Sequence, residues 1–129
     1  MPRQKKNLDP RAAIWGQHKE KITQRLQELD PDLERYVREF AYGTVYARGV
    51  LPAKTQELLA IVMLCALGNP GEMKTHLRGA LINGASEAEV REALLFAIPY
   101  LGFPRVIGAF AYLQEVLQAK KNISSQNLS

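Results

Sequence analysis

Hydrophobic positions recur at helical spacing along the chain, and the alternation expected of a half-buried strand is nowhere sustained. Asp9-Pro10 supplies a cap and a first-turn proline for a helix running to Leu29, with Ile14, Ile22, Leu26 and Leu29 on one side. Asp30-Pro31 repeats the signal for a second helix striped by Leu33, Tyr36, Val37 and Phe40, which loosens between Gly43 and Gly49. A third helix, about residues 53–67, starts amphipathic and becomes apolar on all sides from Leu58, as a buried element or a subunit interface would. Pro70 to Asn83 forms the fourth, with Gly84 as its stop. Ser86 and Glu89 then make a capping box, in which the hydroxyl takes the Glu89 amide and the carboxylate reaches back to the Ser86 amide. The fifth helix follows until Pro99 disturbs it, and Gly102-Phe103-Pro104 leads into a sixth over about Arg105 to Lys120.

The expected fold is therefore all-α, with about six helices in a single domain. Residues 1–30 form a basic arm and first helix, residues 31–121 the helical domain proper, and the polar residues 122–129 a frayed tail. The segments 53–67, 86–98 and 105–117 all carry wide apolar faces rich in Ala and Gly. A chain of 129 residues has little interior in which to hide three such faces, which predicts a homo-oligomer whose interfaces complete the core.

Composition narrows the chemistry. The single cysteine, Cys65, excludes an intrachain disulfide, a CxxC redox pair and a cysteine-rich zinc site, so nothing argues for an oxidising compartment. The N-terminus is polar and basic, unlike a signal peptide, and the longest apolar run, Leu58 to Leu67, has 10 residues where about 20 are needed to span a bilayer. A cytoplasmic setting is expected, with no membrane partner. Of the net charge of +4, residues 1–25 contribute +5 through Arg3, Lys5, Lys6, Arg11, Lys19, Lys21 and Arg25 against two acids. A basic end of this kind reads as solvated, and no nucleic-acid partner is expected.

His76 falls on the inward stripe of the fourth helix with Met73, Leu77, Ala80 and Leu81. A histidine on an apolar face is more often a satisfied core residue, but two carboxylates change the weighing. Glu72 lies four residues before His76 on the same face, and Glu57 sits at the rim of an otherwise apolar helix, either as a solvated first-turn residue or as a functional group. A Glu and a His from adjacent helices are the minimum equipment for moving a proton between carbon and oxygen at neutral pH. Tyr42, Tyr46 and Arg48 cluster where the second helix loosens, as apolar walls and a two-pronged guanidinium would for a small planar carboxylate. Cys65 lies in an apolar stretch with no cation at hand and reads as packing. His18 and His76 show no paired ligand spacing, so no metal is expected.

The stretch LCALGNPGEMKTHLRGALING at residues 64–84, the Ser86 capping box, AIPYLGFP at residues 97–104 and FAYGTVYARGVLP at residues 40–52 together resemble the carboxymuconolactone decarboxylase family over residues 33–118. The resemblance implies an all-helical subunit of the alkylhydroperoxidase-like fold, a homohexamer, and loss of carbon dioxide from 4-carboxymuconolactone without a cofactor, in the breakdown of aromatic compounds. It makes His76 the family histidine. The peroxidase branch of the same family has a CxxC pair where Asn69 and Glu72 stand here, which removes thiol peroxidase chemistry, while Glu57 and His76 keep the spacing of that branch's proton relay. Thr44 stands where the decarboxylase pattern has a glutamate.

The leading expectation is a carbon–carbon lyase acting on a small carboxylated lactone, with His76, Glu57 and Glu72 catalytic and Arg48, Tyr46, Tyr42 and Arg78 on the substrate. Arg78 lies two residues from His76 and so projects from another face of the helix unless a neighbouring subunit returns it. A non-catalytic helical oligomer that binds a ligand or a protein partner is the competing expectation; it requires Glu57, His76 and Glu72 to lie apart or to be satisfied individually.

Overall fold

Asp9 accepts the amide of Arg11 at 2.9 Å and starts α1, Pro10–Trp15, which ends at Gly16 because the backbone there turns to φ +54°. A side chain rarely adopts that conformation, so Gly16 is what lets the chain leave the helix. One 3₁₀ turn follows, Gly16–His18, and then α2, Lys19–Leu29. The single helix expected over residues 10–29 is thus two. Asp30 caps α3, Pro31–Tyr36, by accepting the amides of Asp32 and Leu33. The computed structural model describes residues 9–128, and side chains through residue 125; Arg3, Lys5 and Lys6 of the expected basic arm lie outside the described residues.

From Val37 to Val45 the helix widens into a π-helix, followed by a 3₁₀ turn at Tyr46–Arg48. Two neighbours in sequence stabilise the wider pitch. At Gly43 a Cβ would lie 2.8 Å from the carbonyl oxygen of Arg38, five residues back, so only glycine fits. The Thr44 hydroxyl donates to the carbonyl of Glu39, again five residues back, at 2.9 Å. Buried Glu34 anchors the start of this segment, holding Arg38 at 3.0 Å and reaching Arg11 of α1 at 3.7 Å.

The remaining helices are α4, Ala53–Leu67; α5, Pro70–Ile82; α6, Glu87–Phe96; α7, Ile98–Leu101; and α8, Phe103–Leu128. Gly68 at φ +75° closes α4, the Asn69 side chain caps α5, and both bonds of the Ser86–Glu89 capping box are present. Residues from 122 onward, expected to fray, instead carry α8 on to Leu128. Among the described residues there is no strand, and no helix is long and apolar enough to cross a membrane.

The core has two parts that meet at α5. Ile61, Met73, Leu77, Val90, Leu94 and Leu113 fill the larger one between α4, α5, α6 and α8. Ile14, Trp15 and Tyr42 form the smaller, joining α1 to the π-helix. Cys65 is buried as expected, but a cation is near it: burial raises the thiol's pKa while the charge of Arg105 opposes that rise. The apolar faces are only partly covered. Met63 and Leu67 of α4, Phe96 of α6, Tyr100 of α7 and Phe103 and Ile107 of α8 all remain well exposed.

Candidate active site

Burial of a carboxylate in an apolar interior is costly unless a partner meets it, and Glu57 is wholly buried. It was expected at the rim of its helix; α5 packs over that rim and encloses it, so a solvated first-turn role does not apply. Its partner is His76, whose Nδ1 stands 2.7 Å from Glu57 Oε1. The ring is itself buried, at 6% exposure, and its Nε2 points to the Glu72 carboxylate, 3.8 Å away and largely in solvent. The three expected catalytic side chains thus converge in the order Glu57, His76, Glu72, from core to surface. A buried acceptor on Nδ1 fixes the plane and the tautomer of the imidazole and leaves Nε2 facing Glu72.

Gly79 makes that arrangement possible. One turn beyond His76 on α5, a Cβ here would lie 2.7 Å from Glu57 Oε1 and 2.9 Å from Ile14 Cγ2. The carboxylate and α1 occupy the space a side chain would take. Asn83 ties the same contact down, its amide donating to the carbonyls of Ala13 and Gly79 at 3.0 and 2.8 Å. Neither residue was singled out from the sequence for the site. A glycine inside a helix costs about 1 kcal/mol relative to alanine, and that cost was the available sign of a close approach.

The π-helix and the 3₁₀ turn that follows it supply a pair of aromatic rings beside the carboxylate. Tyr42 and Tyr46 stack at 4.5 Å with planes 6° apart, and Trp15 meets Tyr42 edge-on at 4.9 Å. Burial, and after it the negative charge of Glu57, raises the pKa of both phenols well above the ordinary value, so both stay protonated beside the carboxylate. Glu57 Oε2 is buried without a hydrogen bond among the described residues. Gln56 donates to the Tyr46 carbonyl at 3.2 Å and fixes the 3₁₀ turn against α4. Arg48 ends that turn in an exposed position.

Two residues lie elsewhere. Arg78 leaves α5 by another face and lines a cavity with His18, so it does not join His76 within one protomer. The Thr44 hydroxyl is engaged by the π-helix rather than by the site. Among the described residues no three His, Cys, Asp or Glu side chains are grouped as metal ligands would be.

The profile of the carboxymuconolactone decarboxylase family matches residues 31–115. A 4-carboxymuconolactone decarboxylase of Acinetobacter baylyi is 32% identical over 117 residues, covering 90% of this chain and 87% of that protein. A nitrosuccinic acid decarboxylase of Metarhizium robertsii is 36% identical over 84 residues, covering 65% of this chain and 59% of that protein.

Proposed function

The chain belongs to the carboxymuconolactone decarboxylase family, and from that premise we propose that it is a cofactor-free decarboxylase of a small carboxylated lactone resembling 4-carboxymuconolactone. The buried Glu57–His76 pair carries the reading. Loss of carbon dioxide breaks a carbon–carbon bond and leaves an electron pair that needs a neighbouring acceptor. In a carboxylated lactone the carbonyl takes it as a dienolate, and in nitrosuccinic acid, the substrate named for one relative, the nitro group takes it. Either anion is quenched by one proton delivered to carbon. His76 in its imidazolium form donates Nδ1–H to Glu57 and offers Nε2–H to the substrate carbon. Glu57 stabilises the charged ring, and Glu72, on the solvent side, returns the proton after each turnover.

Tyr42 and Tyr46 are the proposed apolar wall and Arg48 the proposed clamp for a substrate carboxylate. The exposed apolar side chains of α4, α6, α7 and α8 support the proposal of a homo-oligomer, and the family resemblance the proposal that it is a hexamer. We place the protein in the cytoplasm on its lack of cysteine pairs. Loss of 4-carboxymuconolactone, followed optically for the wild type and His76→Ala, tests the activity. The wild type is expected to consume it and the variant to have lost most of that rate; no consumption by the wild type would overturn the substrate assignment.

A further inference from the structure

A cavity of about 480 Å³, lined in part by Arg78, Leu81 and Ile82, opens on a face of α5 other than that of His76. Its walls come from Leu81 of α5 and from Val116 and Ile123 of α8, while Arg78, His18 and Lys120 stand around them. Among the described residues no Asp or Glu is part of the lining. Glu115, next to Val116 in sequence, pairs with Lys74 at 2.6 Å, and Asp9 pairs with Arg11 and Lys19. Arg78 is partly buried, and among the described residues its hydrogen-bond partner is the Thr75 hydroxyl at 3.4 Å. A guanidinium withdrawn from water without a carboxylate is costly, and its pKa is lowered by burial. Burial, then the charges of Arg78 and Lys21, hold the pKa of His18 below its ordinary value.

We infer that this cavity binds a small molecule with an apolar body and a carboxylate head, the head on Arg78 and the body between Leu81, Val116 and Ile123. The aliphatic walls exclude water from the contact, and a bidentate carboxylate supplies the negative charge that the lining lacks. The chain's own first eight residues have the wrong sign to fill it, because they carry Arg3, Lys5 and Lys6 and no acid. The site is separate from the proposed decarboxylation and stands without it.

Calorimetric titration of the full chain with octanoate, and in parallel with octan-1-ol, tests the inference. Octanoate is expected to saturate one site per chain and octan-1-ol to bind at least about tenfold more weakly, since only the former answers the guanidinium. Arg78→Gln is expected to weaken octanoate about tenfold. Ile123→Asp, a change at a half-exposed position that leaves the core intact, is expected to weaken it at least as much by repulsion. His76→Ala is expected to bind octanoate as the wild type does. Absence of octanoate binding, equal affinity for the alcohol, or unchanged affinity in Ile123→Asp would each overturn the inference. So would loss of binding in His76→Ala, which would assign octanoate to the other site, or a fall in assembly mass in Ile123→Asp, which would show that a second copy fills the cavity.

Discussion

Glu57 Oε1 and His76 Nδ1 lie 2.7 Å apart on neighbouring helices, with the carboxylate wholly enclosed and the far edge of the imidazole turned toward solvent. A carboxylate so placed holds the ring in one orientation, as a positioned proton donor requires. Glu57→Gln keeps the shape and removes the charge. Its kcat on 4-carboxymuconolactone is expected to fall by about 100-fold with little change in KM, a split that steady-state kinetics on a variant shown to be folded by circular dichroism will read. A rise in KM at unchanged kcat would instead assign Glu57 to substrate binding.

Gly79 is the steric condition for that pair. In an open helix Gly→Ala stabilises by about 1 kcal/mol, but the new methyl would stand 2.7 Å from Glu57 Oε1 and 2.9 Å from Ile14. Overpacking of this kind costs about 1–3 kcal/mol and outweighs the gain in propensity. Gly79→Ala is expected to lower the thermal midpoint by several degrees and to lower kcat as well; a variant more stable than the wild type would show that the contact is not tight.

Asp9 offers a test through pH. Its hydrogen bond to Arg11, the largest cause, brings its pKa from 3.8 to about 2. A carboxylate with a lowered folded-state pKa contributes stability that is complete above the unfolded value and is lost as pH falls through the folded one. The window here is pH 4 to 2. Asn keeps the helix cap while removing the ion pair, so Asp9→Asn isolates this contribution. Urea midpoints of the two proteins are expected to differ above pH 4 and to converge by pH 2; a constant difference across that range would contradict the assignment.

The exposed rings of Phe96, Tyr100 and Phe103 gather where α6, α7 and α8 succeed one another. If that surface is an assembly interface, size-exclusion chromatography with light scattering gives a hexamer mass for the wild type and a smaller species for Phe103→Asp. A wild-type monomer at micromolar concentration would remove the proposal of assembly.

The sequence makes the helical class, the capping box and the inward stripe of Met73, His76, Leu77 and Ala80 legible, because each depends on residues within two turns of one another. Glu57 is different. Its burial is decided by α5, whose histidine lies 19 residues away in sequence, and by the absence of a side chain at Gly79. The π-helix also escaped local reading, since an aromatic stripe at helical spacing looks the same until the Thr44 hydroxyl and the carbonyl of Glu39 are seen to pair across five residues. Arg78 shows the reverse case: helical geometry alone separated it from His76, and it lines a cavity that His76 does not.

His76 is the proposed donor of the proton to carbon. Chemical rescue tests it most directly: decarboxylation of 4-carboxymuconolactone by His76→Ala is measured with and without added imidazole. The expected result is a rate reduced by about 100-fold or more that rises in proportion to the imidazolium supplied. A His76→Ala protein that retains the wild-type rate without imidazole would contradict it.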